Sequence, residues 1–245
     1  MFRHQGKNRT YKHNLQIATT LSFVAGIVNV TGVLAIQQLT TNVTGHFALF
    51  IYDVFNFEFF QGVVYLLYIV SFLLGAVVSG ILIELATASK KLNVFIMPTV
   101  LEASVLIVVA VLHNVSLLKS SNVIACLLLF AMGLQNSFVT KISNTIVRTT
   151  HLTGLFTDLG IELSQLLFVS QAPYRKLIKS TIKLRLYIIS FFFAGGIIGG
   201  VLYSYIKLNT LLFPAFILLI GLIFDHLRFR MIMMRRKYRH QKNGA

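Results

Sequence analysis

Long runs in which nearly every residue is apolar limit what this sequence can fold into more than any other feature does. A helix needs about 20 mostly apolar residues to cross a bilayer, and about 17 is the lower edge. Residues 17–36, 63–83, 94–112 and 187–206 reach that length readily, and 123–139 and 208–224 meet the lower edge. Only 12% of residues are charged and 56% are hydrophobic, against about 25% charged in an ordinary soluble domain. The fold class expected is an all-α polytopic membrane protein with about six transmembrane helices. Residues 43–60 and 152–168 are ambiguous, because each is apolar enough to enter a membrane yet carries two acids.

Lys and Arg positions decide between six crossings and eight, because short cytoplasmic loops hold the excess. With six crossings and the N-terminus inside, 20 basic residues face the cytoplasm, and Lys119 and Lys207 face outward. With eight, the division is 17 against 5. Six is the better fit, with both termini cytoplasmic and the plasma membrane as location. Residues 1–14 and 228–245 then read as basic tails flanking a single transmembrane domain, 15–227. The net charge of +15 lies between the apolar runs instead of along one face, so anionic lipid headgroups, not nucleic acid, are the expected partner. The first apolar run is longer than a signal-peptide core. The lone cysteine, Cys126, allows no internal disulfide. Neither a metal nor a cofactor is expected, and no zinc-protease, P-loop or nucleophile-elbow motif points to an enzyme.

Two stretches of the chain share an order of features. Gly26-Ile27-Val28-Asn29 is followed by Thr40-Thr41-Asn42-Val43-Thr44-Gly45, and Gly133-Leu134-Gln135-Asn136 by Thr149-Thr150-His151-Leu152-Thr153-Gly154. Each is succeeded by a span with spaced glycines, 72–80 and 192–200. If 15–114 and 120–227 are copies with three crossings each, odd parity forces the second to enter the membrane from the opposite side. Inverted repeats of this kind are common among secondary transporters.

The Gly-x-x-Asn span, the Thr-Gly step, the Gly-x-Gln-Asn string and the Leu-Thr-Gly-x-x-Thr-Asp string resemble the YoaK-like bacterial membrane proteins, a family of unknown function, over about residues 15–227. The resemblance implies a permease-like plasma-membrane protein and supplies no substrate. This chain departs from the family in having Asn29 where Asp is common, and His46 where Asn follows the first Thr-Gly. An acid-based coupling role in the first span is therefore not carried over.

Irregular backbone at membrane depth is tolerated where it lines a cavity. Each Thr-Gly segment is accordingly expected to be broken or re-entrant, with Thr44 or Thr153 starting a half-helix whose amides attract anions. The alternative is an amphipathic helix lying flat at the interface. Candidate solute-binding residues are Asn29, Thr41, Asn42, Thr44, Gly45 and His46 from the first half. Gln135, Asn136, Thr150, His151, Thr153 and Gly154 are their counterparts in the second. Asp158 and Glu162, four apart, share a helix face and can bind a cation or relay protons, with Arg148 and Arg175 near enough to screen them. Glu102 lies near mid-bilayer, where a charge costs roughly 2.5–3.5 kcal/mol, so a coupling role is its default reading. Small residues four apart, such as Gly75/Ser79 and Gly195/Gly199, signal close helix packing. The expected function is a small permease moving a solute or ion by alternating access. The rival is a non-transporting scaffold that binds lipid or partner helices. Self-association is compatible with both.

Overall fold

The computed structural model describes residues 11–89, 94–115, 118–143 and 146–243, without the side chains of 12, 226, 228–230 and 232–243. Much of the N-terminal tail and the Lys90/Lys91 pair therefore lie outside the described residues, as do most side chains of the C-terminal tail. The apolar runs form helices α1 (Tyr11–Ile36), α3 (Phe59–Ala88), α4 (Ile96–Asn114), α5 (Ser121–Ser143), α7 (Ala172–Ile206) and α8 (Leu212–Asn243). The ambiguous segments form α2 (Thr44–Phe55) and α6 (Leu152–Phe168). At 1.5 Å per residue, α2 is only about 18 Å long, too short to cross a hydrocarbon core of about 30 Å.

Five helical stretches are long and apolar enough to cross a membrane: His13–Ile36, Phe59–Ala88, Ile96–Asn114, Ser121–Ser143 and Ala172–Asp225. This marks the chain as a membrane protein. The fifth stretch has 54 residues, about 80 Å if it ran straight. It does not run straight. Lys207 takes φ 52°, in the left-handed region, and opens a 3-10 turn, Lys207–Leu211, between α7 and α8. Along α7, Gly195 lies beside Phe23 and Gly199 beside Ile27, so α7 runs parallel to α1. Beyond the turn, Ile217 to Phe224 of α8 share a cavity with Gln16, Thr19 and Thr20, back at the start of α1. The chain therefore reverses at Lys207.

The two dominant helix pairings are α1 with α7 and α3 with α5. The second pair is also parallel: Tyr68 donates to Asn122 Oδ1 at 2.7 Å near one end, and Glu84 pairs with Lys141 near the other. Both seams are built alike. A Cβ placed on Gly26 would lie 2.1 Å from the Phe192 carbonyl oxygen, and one on Gly195 would lie 2.2 Å from that of Phe23. In the other pair, Gly133 faces the Phe72 carbonyl and Gly75 that of Phe130, each at 2.1 Å. Each of the four glycines follows a phenylalanine by three residues, and each meets the carbonyl of the phenylalanine on the facing helix. Removing the side chain lets two backbones touch, which is how helices gain dispersion contact where lipid offers no hydrophobic drive.

Helices α1 and α5 lie at the centre, with 61% of their most apolar windows buried against 22% for α3. Their core side chains include Leu21, Val24, Val28, Leu128, Met132 and Phe138. Large apolar residues such as Leu73, Phe193 and Phe216 stay exposed, as expected of faces that meet lipid.

Candidate functional site

Where α1 ends, Gln37 takes φ 57° and turns the chain back along its own helix. Thr40 then lies against Gly32, where any Cβ would collide with its methyl group. Asn29 Oδ1 accepts from the Thr40 amide at 3.2 Å and from the Thr41 hydroxyl at 3.0 Å. Asn29 precedes the end of α1 by seven residues, so the segment returns about 10 Å along the helix before α2 begins. The second segment behaves in the same way. Gln135 Nε2 donates to Thr149 Oγ1 at 3.2 Å and to the Leu21 carbonyl at 3.0 Å. The Thr150 hydroxyl donates to Asn136 Oδ1 at 2.7 Å.

The helix starts differ in detail from the expected threonine caps. Helix α2 begins at Thr44 after the cap position Val43, whose side chain makes no cap bond, and the Gly45 amide instead donates to Asn42 Oδ1 at 3.2 Å. Helix α6 begins at Leu152, with the His151 ring laid over Gly154.

Both segments open onto one cleft of about 320 Å³. Thr41, Asn42 and Thr44 line it from the first, and Asn136, Thr150 and His151 from α5 and the second. Phe72 forms an apolar wall, and Thr140 and Arg148 complete the rim. This volume is at the lower end of the range for small-ligand sites. A family model described as a protein of unknown function, DUF1275, matches residues 17–224. The chain belongs to the DUF1275 family. Comparison with curated proteins and with solved structures finds no match.

Other candidate residues of this DUF1275 chain lie elsewhere. Asn29 and Gln135 brace the segments from behind. His46 is buried, its Nε2 2.7 Å from the Leu39 carbonyl and its ring packed against Tyr65 and Tyr68. Burial pushes its imidazole below the ordinary value, against the opposing pull of that carbonyl. Asp158 and Glu162 do share a face, but Arg185 of α7 holds them, not Arg148 or Arg175. Its guanidinium forks onto both Glu162 oxygens at 2.9 Å and reaches Asp158 Oδ2 at 2.9 Å. Asp158 and Arg185 also line a neighbouring cavity of about 360 Å³, which Arg148 shares with the cleft. Glu102 is fully buried on α4, away from the cleft, and neither carboxyl oxygen has a hydrogen-bond partner among the described residues. Among the described residues, no three His, Cys, Asp or Glu side chains converge as metal ligands would.

Three residues of this region were not singled out as ligands from sequence. Thr140 lies one turn beyond Asn136 on α5, a spacing that places both on one face. Arg148 immediately precedes Thr149-Thr150, and its adjacency to that motif was the available signal. Arg185 had none, since its pairing with residues 23 and 27 positions earlier depends on how α6 packs on α7.

Proposed function

We propose that this protein is a small permease of the plasma membrane. It has six crossings in two inverted halves and cytoplasmic termini, and the cleft between its Thr-Thr segments is its solute site. No catalytic chemistry is assigned to it. One observation carries the reading: residues at matching places of the two motif copies, Thr41 with Thr150 and Asn42 with His151, line the same cleft. Paired seams support the inverted repeat, because Gly26 against α7 and Gly133 against α3 are equivalent contacts with the halves exchanged. The reversal at Lys207 supports a sixth crossing, and the similarity of its motifs to YoaK-like proteins fits a permease without naming a solute.

Alternating access then has a specific mechanical form. The sequence halves interlock through the glycine seams, so rocking one half against the other would tear both. The bodies free to move are the α1–α7 pair and the α3–α5 pair, joined by the two Thr-Thr segments that line the cleft. Single cysteines at Thr41 and Thr150, in a Cys126→Ser background, test this with a membrane-impermeant maleimide applied to right-side-out and inverted vesicles. A permease exposes both positions to both faces in turn. Labelling from one face only, under every condition, would reject transport and leave the lipid- or helix-binding scaffold.

A further inference from the structure

The cleft is one-sided in its hydrogen-bonding chemistry. Asn42 Oδ1 is taken by the Gly45 amide, which can only donate, so its free atom is the Nδ2 amino group. Asn136 Oδ1 accepts from the Thr150 hydroxyl, and its Nδ2 amino group is the donor left to face the cleft. Arg148 adds a guanidinium that forms no ion pair among the described residues. Among the described residues no carboxylate lines the cleft, and Asp158, the nearest acid by shared cavity, is held by Arg185. An uncompensated cation beside two amide donors disfavours a cationic solute and suits charged acceptor oxygens. The N-terminal ends of α2 and α6, at Thr44 and next to His151 on the cleft wall, bias the field in the same direction.

We infer that the cleft takes a small oxyanion, a monocarboxylate or a phosphate, held by Arg148 and the amino groups of Asn42 and Asn136. This rests on the permease reading for its location, but not for its chemistry. Binding is measured first, as saturable thermal stabilisation of the purified protein by lactate and, separately, by inorganic phosphate. Sodium chloride at equal ionic strength is the reference. Arg148→Gln removes the exposed guanidinium and weakens binding by about tenfold or more. Asn42→Asp is the sharper variant. Its carboxylate still caps Gly45 and suits the α2 N-terminus, so the protein stays as stable or gains stability, while the added negative charge abolishes anion binding.

Whichever of lactate or phosphate stabilises saturably identifies the source of the oxyanion. Stabilisation by neither, or equal stabilisation of wild type and Asn42→Asp, overturns the inference. Flux into phosphatidylcholine liposomes then separates the two readings. Anion binding without flux keeps the anion site and rejects the permease. Flux of methylammonium or glycerol that neither variant alters keeps the permease and rejects the anion site.

Discussion

The glycine seams make a quantitative demand on stability. Alanine at Gly26 would place a Cβ 2.1 Å from the Phe192 carbonyl oxygen and 2.9 Å from the Gly196 amide nitrogen. Both obstacles are helix backbone, so no side-chain rotation relieves the clash, and α1 and α7 must part by about 1 Å. A gap of that size forfeits a quarter to a half of the dispersion well for each atom pair along the seam. Alanine's better helix propensity returns at most about 1 kcal/mol. The net expectation for Gly26→Ala is a loss of about 2–3 kcal/mol, in the range of overpacked cores. Gly133→Ala should lose a similar amount, because its Cβ meets the Phe72 carbonyl at the same 2.1 Å. Gly80 is the internal control: nothing lies within 4 Å of its added Cβ, so Gly80→Ala should be neutral or stabilising by up to about 1 kcal/mol. Reversible unfolding in mixed micelles with increasing SDS reads all three. If Gly26→Ala and Gly80→Ala unfold at the same detergent fraction, the backbone contact does not hold the pair together.

Asn29→Asp should be tolerated, because both bonds to Asn29 use only its acceptor oxygen, whereas Asn29→Leu should cost about 1–3 kcal/mol by stranding the Thr40 amide; the same SDS titration separates them. A double-mutant cycle between Arg185→Gln and Glu162→Gln should give a larger coupling energy than one with Asp158→Asn. The Glu162 bond is forked and its side chain is 13% exposed, against 48% for Asp158, and exposed ion pairs are worth only about 0–1 kcal/mol; equal couplings would contradict this. Glu102→Leu should stabilise the fold by about 2 kcal/mol, since it removes a buried, unpartnered acid from a transmembrane helix. Glu102→Gln should spare the fold while abolishing proton-driven uptake in liposomes; undiminished uptake removes Glu102 from any coupling role.

The apolar helices were legible because hydrocarbon imposes a length on apolar runs, and 17–36 and 94–112 lie almost directly on α1 and α4. The order of Asn29 before Thr41 and of Asn136 before Thr150 was legible, but their hydrogen bonds were not, because the pairing depends on each segment folding back along its own helix. The seams were only half visible. Small residues four apart flagged Gly75 and Gly195; Ser22/Gly26 and Gly133/Ser137 have the same spacing, but it does not single them out from the polar motifs they sit in. Their role depends on which helix faces them, and sequence order does not state it. The same holds for Arg185. A salt bridge between residues 23 apart is fixed by packing, not by a local period.

Packing also gives the Thr-Thr segments a role that their sequence does not. Helix α1 belongs to one seamed pair and α2 rides on α3 of the other, so residues 37–43 cross from body to body. Helix α5 belongs to the second pair and α6 rides on α7 of the first, so the chain has crossed back by residues 146–151. The two crossovers are the segments that line the cleft. A motion of one body against the other must flex these strands and reshape the groups around a bound solute. In the opposite direction, a solute gripped by Asn42 and Arg148 ties the two crossovers together and biases the bodies toward one arrangement. On the permease proposed above, site and hinge are the same few residues, so binding and motion are coupled through the crossovers themselves.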